Sequence, residues 1–345
     1  MNKRFNITGS CVPDQHYMVD ITERLEKIKE MIDRGDYFVI NRGRQYGKTT
    51  TLKALNNYLA DSYYVVSMDF QRQMSTAKFK DEYSFSVAFI KAFIASLKRN
   101  ECSEQLLSAI NKLEEIIIDN LDLVDLFVNL SEFCGSAEKP VVLMIDEVDQ
   151  ASNNQVFLDF LAQLRGYYLD RFDSPTFKAV ILAGVYDIRN LKLKIRDDSN
   201  HKHNSPWNIA VDFNVDMSLT TGGISGMLTD YEKDHNTGMD IDDISQLIYD
   251  YTSGYPVLVS NICKLIDEDI HEWTGEGIIK AINQILATNT PLFDSLINRL
   301  EEYPEMKKSL YQILTKGDRF SFNPDHEQTK LLLMFGFVKV EDGAV

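Results

Sequence analysis

Residues 37–50 read Tyr-Phe-Val-Ile-Asn-Arg-Gly-Arg-Gln-Tyr-Gly-Lys-Thr-Thr, and no other stretch restricts the fold so tightly. The apolar run 37–40 follows the turn pair Gly35-Asp36 and predicts a buried strand. Leu52, Leu55 and Leu59 then recur at helical spacing. A strand, a glycine-bearing loop and a helix opened by Lys and Thr form the layout of a phosphate-binding loop. The first amides of such a helix have no intrahelical acceptor, and the helix dipole adds partial positive charge there. Gly47 would let the main chain approach a phosphate with no Cβ in the way. Lys48 would reach the β- and γ-phosphates, and the Thr49 hydroxyl would hold Mg²⁺. The common pattern places its first glycine where Arg42 stands; here the glycine comes one place late, at Gly43. The plain alternative is a helix N-terminus that happens to carry Lys and Thr.

A second stretch shifts the balance. Residues 140–145, Pro-Val-Val-Leu-Met-Ile, form a continuous apolar run that ends in Asp146-Glu147. Buried parallel strands read this way because helices cover both faces. Acids at the carboxyl tip of such a strand stand where ligands collect in open α/β sheets. Asp146 would hold the Mg²⁺ shell, and Glu147 would polarise an attacking water as general base. The two stretches together predict a nucleoside triphosphatase, its loop and acid pair facing a common cleft on adjacent strand ends. Lys48 and Glu147 are the catalytic candidates, and Thr49 and Asp146 the metal ligands. Arg44, Gln45, Tyr46, Gly47, Lys48, Thr49 and Thr50 are the candidates for nucleotide contact.

At 345 residues the chain can bury a large core and divide into two or three domains. The four cysteines, Cys11, Cys102, Cys134 and Cys263, lack metal-site spacing and suggest reduced thiols in a cytoplasmic protein. No apolar run is long enough for a bilayer, and no apolar segment follows the basic N-terminus as a signal peptide requires. The net charge, 36 − 52 = −16, disfavours broad binding to nucleic acid or anionic membrane.

Along the chain, Asp20 is the expected N-cap of a helix with Ile21, Leu25, Ile28 and Ile32 on one face. Tyr17 and Met18, just before it, are candidates to flank a nucleotide base, or else pack under the sheet. His16 reads as a hydrogen-bonding core histidine. Residues 63–70 predict a second strand ending near Asp69, which either assists the metal or simply enters solvent. Helices are expected over 85–97, 104–118 and 123–134, and another follows a cap at Ser152-Asn153. Residues 177–184 predict a further buried strand and 209–211 a short last one. Strands alternating with helices indicate a doubly wound parallel sheet. Arg165, Arg189 and Arg196 are candidates for the cation that meets the γ-phosphate, alongside Arg42 and Arg44 in the loop itself.

From about Ser218 the pattern turns helical, over 224–231, 241–251 and 256–270, with Pro256 at a helix start. From Pro291 a small unit reads as helices, an extended stretch at 318–322, a helix over 329–335 and a strand at 336–340. That order suits a winged-helix module whose closing hairpin the chain does not complete. Residues 296–345 carry seven Lys/Arg and eight Asp/Glu, 7 − 8 = −1. A DNA-reading helix is normally basic, so a protein partner or self-association through this unit is favoured over nucleic acid.

Arg42 to Thr50, the strand 141–147 and Gly254-Tyr255-Pro256 together resemble the bacterial AAA-like ATPases, relatives of the archaeal-type and STAND P-loop ATPases. The group's loop runs Arg-x-Arg-Gln-x-Gly-Lys-Thr, as Arg42 to Thr49 does. The resemblance implies ATP as the nucleotide, Mg²⁺, a helical lid whose Pro256 touches the nucleotide, and a winged-helix unit behind it. The implied domains are a P-loop ATPase core over 1–215, a lid over 216–290 and a winged-helix-like unit over 291–345. A polar sensor at the tip of the strand ending Ala183-Gly184 is not obvious unless Tyr186 or Asp187 serves. Relatives often end in an effector domain not found in these residues. The leading reading is an ATP-binding switch with slow Mg²⁺-dependent hydrolysis. An ATP-gated DNA reader and a non-hydrolysing ATP-binding scaffold are the alternatives.

Overall fold

The computed structural model describes residues 3–99, 102–116, 120–185, 207–288, 290–316 and 326–340. Two compact units emerge: one gathers Leu25–Asn41 and Leu52–Val215, the other Met1–Arg24, Arg42–Thr51 and Asp216–Val345.

The first unit is built on four parallel strands: β1 (Tyr37–Asn41), β2 (Tyr64–Asp69), β3 (Val141–Asp146) and β4 (Ala179–Gly184). Their order is β1-β4-β3-β2. The unbroken apolar runs of β3 and β4 are buried at every position, as a sheet covered on both faces requires. The chain steps from β1 to the far edge, then returns through β3 and β4. Right-handed crossovers that reverse direction put their helices on opposite faces, so the sheet is doubly wound. The strand expected at 209–211 shrinks to one bridge, Val211 beside Phe38, where the Val211 amide donates to the Tyr37 carbonyl at 2.9 Å. β1 and β3 are not adjacent, as the sequence reading has it; β4 lies between them. Apolar runs report that a strand is buried, not which strand it lies beside.

The helices in and around this unit are α1 (Thr22–Arg34), α2 (Lys48–Leu59), α3 (Phe70–Gln73), α4 (Glu82–Leu97), α5 (Glu104–Glu115), α6 (Leu123–Ser136) and α7 (Gln155–Leu169). Asp69 caps α3 by accepting the Arg72 amide at 3.1 Å. Asn154, not Ser152-Asn153, stands at the cap position of α7, because Val148–Ala151 first form a 3-10 turn that carries Ser152 onward. Phe160 centres an aromatic core, its ring 5.0–5.4 Å from those of Phe85, Phe89 and Phe127.

The second unit holds α8 (Thr221–His235), α9 (Ile241–Thr252), α10 (Pro256–Leu265), α11 (Gly275–Ala287), α12 (Pro291–Glu302), α13 (Pro304–Lys316) and α14 (Glu327–Phe335). A π turn, Ile266–Ile270, extends α10. α11 is additional to the sequence reading. The core includes Ile224, Leu228, Ile248, Val259, Ile262 and Ile278 with Phe5 and Tyr17 from the N-terminal segment. The strand expected at 336–340 does not form. Phe337 instead lines an apolar groove with Leu286, Phe293, Leu296 and Leu300, and the Lys339 ammonium donates to the Tyr249 hydroxyl at 2.7 Å. The extended stretch expected at 318–322 lies outside the described residues.

Candidate phosphate site and the carboxyl edge of the sheet

β1 ends at Asn41 and the chain enters the loop 42–47 at once, with α2 beginning at Lys48. Gly47 has φ +79°, a left-handed conformation that glycine reaches without steric cost. The Thr51 amide donates to the Gly47 carbonyl at 2.9 Å, closing the first turn of α2. The Lys48 ammonium donates to the carbonyls of Arg42 and Gly43, both at 2.9 Å, and Lys48 is buried. The loop thus wraps around the lysine's charge with its own dipoles. That arrangement fits an anion: a turn without a Cβ, a helix N-terminus and a buried cation converge on one loop.

Residues far away in sequence complete the loop's surroundings. Ser253 and Gly254 end α9 in left-handed conformations, and Pro256 opens α10. A Cβ on Gly47 would meet Pro256 Cγ at 3.9 Å, so the two residues adjoin. The Tyr255 hydroxyl donates to the Arg44 carbonyl at 2.7 Å, and its ring meets that of Tyr46 edge-on at 4.5 Å. Burial pushes the Tyr255 hydroxyl well above the ordinary tyrosine range, so it remains a donor. The end of α14 reaches the same place. A methyl group on Gly43 would stand 2.7 Å from the Phe335 carbonyl oxygen, and one on Gly336 would stand 3.0 Å from both the Tyr46 and Tyr255 rings.

Two arginines lie among these groups. Burial lowers the pKa of Arg24 and of Arg42, and Asp216 and Tyr46 oppose that shift in both. Arg24 donates to the Ser218 carbonyl at 3.0 Å and to the Thr51 hydroxyl at 3.4 Å. The Thr50 hydroxyl accepts the Cys11 amide at 3.2 Å, which ties the N-terminal segment to α2. Arg44, Gln45 and Thr49 are exposed. Tyr17 is placed in a core: it is 3% exposed, flanked by Phe5 and Tyr231, and its hydroxyl donates to Asp234 at 2.8 Å. His16 Nδ1 accepts the Val12 amide at 2.8 Å, and burial, with the charge of Arg4, lowers its pKa.

At the carboxyl edge of the sheet, Asp146 ends β3 and is 7% exposed. Its Oδ1 accepts the Glu147 amide at 3.0 Å. Glu147 has φ 54° and ψ 40°, the left-handed conformation, which costs a non-glycine residue about 1–2 kcal/mol. Such strain persists only where surrounding contacts impose it. The ends of β1 and β3 lie on this same edge of the parallel sheet, one strand apart. Among the described residues no cluster of three or more His, Cys, Asp and Glu could hold a metal. Mg²⁺ does not need one: it is held by one or two protein oxygens together with phosphates and water. Arg189, Arg196, Tyr186 and Asp187 lie outside the described residues. Sequence reasoning missed Tyr255, Arg24, Asp216 and the Phe335-Gly336 contact. Only Tyr255 carried a signal, its place inside the Gly-Tyr-Pro triplet.

The model of the AAA-like domain family matches residues 13–345. The chain belongs to the AAA-like domain family. No relative is found among curated proteins. Among solved structures, Cdc6p from Pyrobaculum aerophilum is 14% identical, with 96% of this chain and 84% of that chain covered and a TM-score of 0.46. ORC2 from Aeropyrum pernix with ADPNP and ADP is 12% identical over 98% and 89%, at 0.48. ORC1 from Aeropyrum pernix in complex with DNA is 13% identical over 99% and 90%, at 0.45. The AAA-like family match and the parallel α/β sheet agree with the family and fold expected from the sequence. No described helix is long and apolar enough to cross a membrane.

Proposed function

We propose that this AAA-like chain is an ATP-binding switch that hydrolyses ATP slowly with Mg²⁺. The observation that carries the reading is the Tyr255–Arg44 hydrogen bond beside the Pro256–Gly47 contact. It links a phosphate loop to a separate helical segment, as a nucleotide-sensing lid requires. Lys48 and the loop residues Arg44 to Thr50 would bind phosphates, with Pro256 against the nucleotide. Thr49 and Asp146 would hold Mg²⁺, which when bound neutralises phosphate charge. Glu147 would orient the water and take its proton. Releasing Lys48 from the Arg42 and Gly43 carbonyls to a phosphate would rearrange Gly43 and hence its contact with Phe335. Nucleotide binding would thereby reach α14. Residues 1–215, 216–290 and 291–345 would serve as core, lid and output module, the last meeting a protein partner or a second copy.

Labelled ATP with the purified full chain tests the reading. Lys48→Ala should abolish binding, and Glu147→Gln should bind ATP but stop turnover. Wild-type chain that leaves ATP unbound at millimolar concentration with Mg²⁺ present would refute it. Undiminished hydrolysis by Glu147→Gln would remove Glu147 from the mechanism.

A further inference from the structure

One carboxylate at the edge of the sheet has no role in the reading above. Asp149 lies two residues beyond Glu147, on the 3-10 turn Val148–Ala151. Its Oδ2 accepts the Val185 amide, just past β4, at 2.6 Å. A methyl group built on Gly184 would stand 2.8 Å from Asp149 Oδ1, 3.0 Å from Val148 Cγ2 and 3.1 Å from Asp149 Cγ. The carboxylate therefore lies directly over the tip of β4, in a space that only the missing side chain of Gly184 leaves open. β4 is the strand between β1 and β3, and Gly184 pairs in register with Asn41, the last residue before the phosphate loop. In open α/β sheets ligands bind outside the carboxyl ends of the strands, and this tip lies on that edge. The described residues there, Ala183, Gly184 and Val185, offer no polar side chain. Asp149 brings a carboxylate to this tip from the turn after β3.

We propose that Asp149 is a positioning residue for hydrolysis, fastening the turn that carries Glu147 to the end of β4. The inference rests on the ATPase reading. Glu147 is left-handed, a conformation a glutamate keeps only when its neighbours enforce it. The Gln150 amide to the Glu147 carbonyl, at 3.2 Å, and the Ser152 amide to the Asp149 carbonyl, at 3.2 Å, bind the turn to itself. The Asp149 side chain binds it to another strand. Glu147 thus receives its direction from β4, and a shift of β4 is passed to the water it orients.

The test compares Asp149→Ala, Asp149→Asn, Gly184→Ala and the double variant D149A/G184A in the full chain, reading ATP affinity, single-turnover rate and melting midpoint. Misplacing a water-orienting group by about 1 Å costs about a hundredfold in rate. Asp149→Ala should show a loss of that order, with ATP affinity within about twofold of the parent. Asp149→Asn, whose amide oxygen can still accept from Val185, should recover most of it. Gly184→Ala pushes the carboxylate away and should slow the reaction similarly. In the Asp149→Ala background the same change should cost only about a further fivefold, because the oxygen it strikes first is gone and only the contact with Val148 Cγ2, at 3.0 Å, remains. An Asp149→Ala rate within about twofold of the parent, or losses that multiply in the double variant, would overturn the proposal alone. So would affinity and melting midpoint falling together with the rate, since that marks a merely structural role. Parent protein that binds no ATP would fell the ATPase reading and this inference with it.

Discussion

Replacing Gly254 by alanine probes the turn between α9 and α10, beside the loop 42–47, most sharply. Gly254 has φ +73°, and a Cβ there would stand 2.0 Å from the Leu219 carbonyl oxygen and 2.9 Å from its carbon and nitrogen. The Leu219 amide also donates to the Gly254 carbonyl at 2.8 Å, so two backbones lie against one another. A left-handed alanine costs about 1–2 kcal/mol. Stretching the Leu219–Gly254 hydrogen bond costs about 1 kcal/mol more. No rotamer change relieves an overlap with a carbonyl oxygen, so the main chain must move. The sum is about 2–3 kcal/mol, a fall in melting midpoint of about 4–12 °C for a cooperative unit of ordinary domain size. Gly226→Ala is the matched control. It makes the same chemical change in α8, where nothing lies within 4 Å, and should stabilise by about 0.5–1 kcal/mol through better helix propensity. Calorimetric melts of the two variants, with ATP titrations alongside, make the comparison. Gly254→Ala should also bind ATP more weakly, because Tyr255 and Pro256 are carried away from Arg44 and Gly47. A midpoint within about 2 °C of the parent would refute the close approach from which the argument starts.

Tyr255→Phe should weaken ATP binding about fivefold in a fluorescence titration, the equivalent of one lost hydrogen bond. Arg44→Ala should leave that bond intact, since the carbonyl accepts it. Phe160→Ala, at the centre of a ring cluster and fully buried, should lower stability by about 3–5 kcal/mol in urea unfolding. Burial, and then its bond to Asp33, push the Tyr63 hydroxyl up to about 12. The folded state therefore disfavours the phenolate. Its contribution should be complete below pH 10, the ordinary tyrosine value, and drain away as pH rises through 12. Urea midpoints measured across that window should fall less steeply for Tyr63→Phe than for the parent.

The strand–loop–helix at 37–59 and the apolar run ending in Asp146 were legible because each couples a local pattern to a local conformation. Strand order was not. Val141 to Ile145 must be buried, yet nothing in them chooses β4 as the neighbour that separates them from β1. Helix α11 escaped notice because Gly275-Glu276-Gly277 reads as loop. Thr274 nonetheless caps it by accepting the Gly277 amide at 3.2 Å, and Ile278, Ala281 and Ile285 form its buried face. Phe337 and Val338 have the alternation of a strand, but Phe337 finds an apolar groove instead of a ladder. The site divides the same way. The loop around Gly47 and Lys48 stands out as a local pattern, whereas Tyr255 and Gly336 reach Tyr46 only through tertiary folding, which one sequence does not encode in any short window.

Although the phosphate loop is threaded between a strand and a helix of the sheet, its packing companions come from the far end of the chain. A fragment cut after the last strand would keep every residue of the nucleotide motif and lose Tyr255, Pro256 and Phe335 beside it. Such a shortened protein would make a misleading reagent: its silence toward ATP would speak of a stripped loop and say nothing of the full chain.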